Sequence, residues 1–380
     1  MKRYRMAVVG LHFGKWLIDN EIIKGYAAPY FELAAVCDQN EVLAHACARE
    51  YHVKAYTRLE DALADRDIDL VTLITGPNHR AKLLDKIVDA GKAVMTTKPF
   101  ETDAAEALRI LKKAEAAGVP LFINSPQPVA PDDIACIQEW QEKYALGRLV
   151  GYHASNWASY REDPDGTWYD DPEQCPAAPL LRLGIYCMSD LSWFIPEDIE
   201  ELTVVQSRVF TRRPTSDNAH ATVKHADGTL GSIYSSFCVG DGEVYQNRLE
   251  LQFEGGSVTR KINSMLLLED DFIELELSTQ YHGKHLTEKR TLPKYGSGYR
   301  WDWMHHVLNG ESLPEKHFQK MTRECYTLSG CSVSVCHYPI VQNIALSNSA
   351  FPGGRLFQSG CGGEWLNPYN RRNRGGCIAF

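Results

Sequence analysis

The chain has 380 residues, 44% of them apolar and 23% charged, with a formal net charge of −9. Its length exceeds the roughly 250–300 residues at which one core stops growing, which predicts two domains. Net negative charge gives no electrostatic footprint for nucleic acid or an anionic membrane, and no apolar run approaches the roughly 20 residues that span a bilayer. MKRYRMAVVG runs into a strand pattern where an export signal would carry an apolar core, so none is expected. The eleven cysteines form no C-x-x-C pair or zinc spacing, so no metal site is expected; with no export signal, they fit a reduced, cytoplasmic setting.

In chain order, residues 4–124 alternate two kinds of segment. Strands are expected at Arg5–Val9, Leu33–Cys37, Val53–Tyr56, Leu70–Ile74, Ala93–Thr97 and Pro120–Ile123. Between most of them NEVLAHACAREY, HRAKLLDKIVDAG and DAAEALRILKKAEAAG repeat at helical spacing, two of them closing on Gly91 and Gly118 as C-terminal caps. Such βα units predict a doubly wound parallel sheet over 1–125.

From 126 to 325 the pattern changes to consecutive strands, with turns at Ala226-Asp227-Gly228 and Gly255-Gly256 and one helical segment at Leu180–Phe194. An α+β domain with an open, mostly antiparallel sheet is expected. Its open face is read as carrying Leu251, Phe253, Leu266, Ile273 and Leu275, and so as covered by another subunit. Residues 326–380 form an atypical tail. From Cys325 onward it holds no Asp or Lys, a single Glu and five of the cysteines, and its Cys and Arg residues are read as carrying no function.

Ligands of such α/β sheets bind at the carboxyl ends of the strands, and these strand ends carry chemistry. After the first strand, Gly10-Leu11-His12-Phe13-Gly14 opens a helix expected to begin near Lys15, an arrangement that collects free N–H groups for a phosphate. The dinucleotide fingerprint G-x-G-x-x-G is matched imperfectly, with His12 and Lys15 in its second and third glycine places. Asp38 ends the second strand, where a carboxylate accepts the ribose hydroxyls and repels a 2′-phosphate. It thus favours NAD, with NADP possible; the other reading makes it a helix cap. Thr75-Gly76-Pro77-Asn78 ends the fourth strand, with His79 read as a solvated residue of the next helix's first turn. Lys98-Pro99 ends the fifth, with Thr102 or Asp103 as the following N-cap. Proline restricts the backbone of Lys98 and so aims its ammonium. The plainer reading is a lysine snorkelling from a strand end.

VGLHFG, the Asp38 strand end, TGPN at 75–78, TKPFETDAAEA at 97–107 and WYDDPEQCPAAPLLRLGIYCMSDLSWF at 168–194 together resemble the Gfo/Idh/MocA family over residues 4–325. The resemblance implies a Rossmann domain joined to an open-sheet domain, a nicotinamide cofactor, a sugar-like or polyol substrate, and a homodimer or homotetramer built through that sheet. It also implies Gly10, Leu11, His12, Phe13, Gly14, Asp38, Thr75, Gly76, Pro77, Asn78, Lys98 and Pro99 as cofactor residues. The family's Glu-Lys-Pro stands here as Thr97-Lys98-Pro99. Its Asp-x-Gly-x-His stands as Arg182-Leu183-Gly184-Ile185-Tyr186, so arginine and tyrosine replace the acid and the histidine.

Lys98 and Tyr186 are therefore the candidate catalytic pair, with Tyr186 as base and Lys98 favouring the phenolate and holding the substrate oxygen. Arg182 lies one helical turn before Tyr186 and suits an anionic substrate group; alternatively it pairs with Asp190, Asp170 or Asp171. Trp157, Trp168 and Asp190 are further candidate substrate residues, with Asn156, Tyr160 and Tyr169 beside them. Two other functions suit the same features: an NAD-assisted glycosidase or epimerase, and a non-catalytic NAD- or sugar-sensing regulator.

Overall fold

Short apolar runs bounded by caps build the first half. In the computed structural model, which describes residues 2–195, 198–240, 245–262, 272–293, 297–314, 317–321, Thr327 and Gly330, they form six parallel strands. These are β1 (Tyr4–Val9), β2 (Phe31–Cys37), β3 (Lys54–Tyr56), β4 (Leu70–Leu73), β5 (Ala93–Thr96) and β6 (Leu121–Ile123), in the order β3-β2-β1-β4-β5-β6. Every residue of β4 and β5 is buried, as expected of parallel strands covered on both faces. Five helices connect them: α1 (Leu11–Leu17), α2 (Glu41–Tyr51), α3 (Leu59–Ala64), α4 (Arg80–Asp89) and α5 (Ala104–Ala116). Asn40 caps α2 through the Leu43 N–H, and Asp103 caps α5 through those of Ala105 and Glu106. Gly91 and Gly118 follow α4 and α5 with φ of 65° and 63°, the left-handed cap expected of them.

The second half adds α6 (Asp132–Lys143), β7 (Leu149–Trp157), a π-helical turn at Leu180–Gly184 running into α7 (Ile185–Leu191), and β8 (Ile199–Ser207) to β14 (Lys284–Pro293). The strands between are β9 (Asn218–His225), β10 (Leu230–Ser236), β11 (Gln246–Phe253), β12 (Gly256–Ile262) and β13 (Phe272–Tyr281). They pair as β14-β13-β12-β11-β7-β10-β9-β8, antiparallel except where β10 runs parallel to β7. Both sheets belong to one compact unit.

Three expectations change. Leu251, Phe253, Ile273 and Leu275 are buried inside this chain, against the core that also contains Ile137, Trp140, Leu183 and Met188. Strand alternation therefore gives the open face to their neighbours Arg248, Glu250, Gln252, Glu274 and Glu276. Leu266, and the tail 326–380 apart from Thr327 and Gly330, lie outside the described residues. Second, α6 and β14 add a helix and a strand to those expected. Third, α8 (Trp301–Leu308) returns to the first sheet, where Tyr299, Trp301 and Met304 share a core with Met6, Val8 and Phe31.

Candidate active site

The candidate residues gather where β1, β2, β4 and β5 end. Helix α1 begins at Leu11, four residues earlier than expected, because Gly10 itself is the cap, with φ of 89°. A Cβ at Gly10 would lie 2.2 Å from the Ile74 carbonyl oxygen, so only glycine lets β1 pass the end of β4 here. Gly14 performs the packing task that the fingerprint gives to its third glycine: a Cβ there would meet Val8 at 3.0 Å. Lys15 instead turns outward to Glu50 and Tyr51. His12 is exposed, and Phe13 stacks on Trp16 at 5.3 Å.

Asp38 stands beside this turn. One carboxylate oxygen accepts the Leu11 N–H at 2.8 Å and the other that of Asn40 at 2.9 Å. Asn40, not Asp38, caps the next helix. The strand order changes direction between β1 and β4, and a glycine turn, an acid and the 75–78 loop converge on that crevice; this edge fits an NAD-type dinucleotide.

The segment after β5 is fixed by two side chains with no recognisable sequence signal. The buried Arg80 guanidinium donates to the carbonyls of Thr75, Thr97, Pro99 and Phe100. It ties the ends of β4 and β5 together. Buried Glu101 accepts the Ala81 N–H at 2.9 Å and the Thr102 N–H at 2.8 Å, supplying the N-terminal partner that His79, exposed at φ 60°, does not give α4. Asn124 accepts the Lys98 N–H at 2.8 Å. The Lys98 side chain, 7% exposed, reaches across to the second half. Its ammonium donates to the Arg182 carbonyl at 2.8 Å and lies 4.8 Å from the centre of the Tyr186 ring.

The carbonyl that Lys98 meets belongs to the π-helical turn, a distortion common at functional sites. Buried Asn156 braces the same turn, donating to the Leu183 carbonyl while accepting from Ser235. Trp157, the next residue, projects to the opposite face, under the Arg248 guanidinium at 4.8 Å, and is not brought to the site. Asp190 follows Tyr186 by one turn, but its carboxylate pairs with Arg260 at 2.7 Å. Burial raises the Asp190 pKa, with Arg260 opposing and Asp133 adding to the rise.

Arg182 pairs with none of the acids expected of it. Its fork holds Glu162 at 2.7 and 2.8 Å, and its plane lies 4.0 Å from the centre of Tyr169, with Tyr160 and Phe237 also around it. Burial alone would raise Glu162; Arg182 and Arg213 outweigh it and hold the carboxyl below its ordinary range. Trp168 lies beside Tyr169, their rings tilted by 40° with centres 4.5 Å apart, and covers Gly76, where a Cβ would be 3.1 Å from the indole. The Tyr245 hydroxyl is buried without a hydrogen-bond partner among the described residues, within electrostatic reach of Tyr186 and Tyr160, and burial drives its pKa well up.

Residues 4–125 match the oxidoreductase family with an NAD-binding Rossmann fold, and residues 134–259 match the Gfo/Idh/MocA C-terminal domain. Among curated relatives, inositol 2-dehydrogenase 1 of Mycolicibacterium vanbaalenii is 40% identical over 52% of this chain and 55% of its own. D-apiose dehydrogenase of Paraburkholderia graminis is 23% identical over 71% and 70%. An uncharacterised oxidoreductase of Schizosaccharomyces pombe is 27% identical over 45% of this chain, and the match spans 46% of that relative's own length. The WlbA dehydrogenase of Bordetella pertussis, solved with NADH and UDP-GlcNAcA, superposes with a TM-score of 0.67 at 17% identity, covering 88% of this chain and 96% of the other. A 3-ketoreductase of Actinomadura kijaniata, solved with NADP, gives 0.68 at 17%, covering 88% and 98%. At such identities the two structures establish the fold. With family matches in both halves, the chain belongs to the Gfo/Idh/MocA family of NAD-binding oxidoreductases.

Proposed function

We propose that the chain oxidises a CH–OH carbon of a neutral sugar-like or polyol substrate, or reduces the matching ketone, with NAD. The observation that carries this reading is the Lys98 ammonium, aimed from the end of β5 onto the π-helical turn and the Tyr186 ring. Gly10 to Gly14, Asp38, Thr75 to Asn78, Lys98 and Pro99 would hold the cofactor, whose nicotinamide, when bound, accepts or returns a hydride. Lys98 supplies positive charge where an alkoxide develops, and Tyr186 takes the hydroxyl proton.

A neutral substrate is supported by Arg182, whose two terminal nitrogens are engaged by Glu162. The buried Tyr245 hydroxyl would gain a partner from a substrate hydroxyl, and the inositol dehydrogenase relative points to the same class. The polar open face of the second sheet would pair with a second copy of the chain, a state read by light scattering. Among the described residues no helix is long and apolar enough to cross a membrane.

The test is NADH formation, followed by absorbance, over a panel of inositols, aldoses and their uronic acids. Lys98→Ala and Tyr186→Phe should each lower kcat/KM by about 10²–10⁴-fold on a neutral member. Tight NADH binding with no turnover, unaltered by Lys98→Ala, would overturn the proposal in favour of a sensor.

A further inference from the structure

Residues 162–174 run from the end of β7 towards the π-helical turn with only a 3-10 turn, Trp168–Asp170, as regular structure. Yet this stretch reaches the cofactor edge twice: Trp168 covers Gly76, and the Gln174 side chain accepts from Asn78 at 3.2 Å. What holds it is ionic. Arg213, 3% exposed, donates to Glu162 at 2.9 Å, to both oxygens of Asp165 at 2.9 and 3.0 Å, and to Asp170 at 2.6 Å. Asp170 in turn accepts the N–H groups of Asp165 and Gly166, and Asp165 those of Thr167's backbone and hydroxyl. Arg182, also 3% exposed, completes the set from the helix through its bidentate pair with Glu162. Thr215 donates to the Tyr169 carbonyl, so the β8–β9 connection grips the stretch at a second point.

Two buried guanidinium groups thus organise three carboxylates on one short segment. The neighbouring Arg212 is exposed and pairs with Asp163 at 3.1 Å, and Pro214 follows, so the grip on Asp165 and Asp170 depends on Arg213 itself.

We propose that Glu162, Arg182 and Arg213 form a clasp that fixes Trp168 against Gly76, making Trp168 the specificity-determining wall of the cleft and the other three its positioning residues. The arginine at the place of the family's usual acid thereby acts on substrate only through Glu162 and Trp168. The clasp rests on the proposed dehydrogenase reading for its kinetic consequence but not for its geometry.

The test uses the full chain, with circular dichroism and melting to confirm folding. Glu162→Gln keeps the shape and removes the charge; Arg213→Lys keeps the charge and removes the fork. Each should raise KM for the best polyol of the panel about tenfold or more while kcat stays within about threefold. Trp168→Ala should do the same, and Glu162→Gln in the Trp168→Ala background should add less than about twofold. A separate reading needs no turnover: in protein labelled with 5-fluorotryptophan, the resonance missing from Trp168→Phe should be shifted or broadened in Glu162→Gln and Arg213→Lys. An unchanged Trp168 resonance in both folded variants overturns the clasp. So does full additivity of the two KM effects. Altered resonances in a protein that turns over no polyol would retain the clasp and reject the dehydrogenase reading.

Discussion

Arg80→Met keeps most of the side chain's length and removes every N–H donor from a group that is 1% exposed. The carbonyls of Thr75, Thr97, Pro99 and Phe100 lose their shared donor. A buried carbonyl left unsatisfied costs about 1–3 kcal/mol, so four of them bound the loss at roughly 4–12 kcal/mol. The bound is not reached, because the cation's own desolvation penalty vanishes with it and loop carbonyls can turn towards water. A net loss of about 3–5 kcal/mol is expected, the range for removing one member of a buried charged network. Against a typical stability of about 5–15 kcal/mol this is large. Urea unfolding followed by far-UV circular dichroism measures it, as a shift of midpoint. Because Thr97 and Pro99 flank Lys98, kcat should fall as well. Arg80→Lys, with a point charge that cannot span four acceptors, should lie between. An Arg80→Met protein that unfolds within about 0.5 kcal/mol of wild type, the scale of an ordinary surface substitution, would refute the assigned clamp.

Three further outcomes are expected. Asp38→Asn keeps an acceptor for the Leu11 N–H and removes the charge, so the ratio of NADPH to NADH affinity, read by fluorescence titration, should rise about tenfold, on the order of 1.4 kcal/mol; an unchanged ratio would remove Asp38 from ribose selection. Gly76→Ala has no backbone obstacle but pushes a methyl into Trp168, so it should raise substrate KM with little loss of stability by thermal melting; a KM equal to wild type would contradict the contact. His317 is buried and donates to the Leu121 carbonyl at 2.9 Å, and burial lowers its pKa to about 4 from 6.5. The unfolded chain then binds the proton first, so stability is full above about pH 6.5 and falls as pH drops towards about 4, by roughly 3 kcal/mol in all. His317→Gln should flatten that part of the stability–pH curve measured by urea unfolding; a curve of unchanged slope would show that other groups set it.

The parallel sheet was legible because its strands are short apolar runs and its helices carry caps within their own segments, as at Asn40, Asp103, Gly91 and Gly118. The meeting of Lys98 with Tyr186 was legible through the family resemblance, which sets Tyr186 at the place of the motif's histidine; strand ends alone pointed only to Lys98. What escaped depends on distant chain. Helix α6 carries Ile134, Ile137 and Trp140 at helical spacing, a signal submerged in the strand-like run that follows. Strand β14 sits at a sheet edge and alternates exposed with half-buried residues, with charged side chains on both sets, so it shows no apolar period. Asn156 and Trp157 differ by one position, and the pleat alone decides which of them meets the helix. Arg80 and Glu101 bind main-chain atoms up to 20 residues away, and Arg182 meets Glu162 in place of nearer acids because the segment folds back upon the helix.

The return of α8 to the first sheet bears on how this chain can be cut and recombined. Trp301 donates to buried Glu21 at 3.0 Å, Tyr4 donates to the Leu308 carbonyl at 2.7 Å, and Tyr299 meets Thr97 just before Lys98. A fragment ending at residue 125 would bare Met6, Phe31 and a buried carboxylate at once. Chimeras that exchange the second half with a relative should therefore carry residues 297–308 along with the Rossmann half, as a discontinuous module whose last piece is encoded far downstream of the rest.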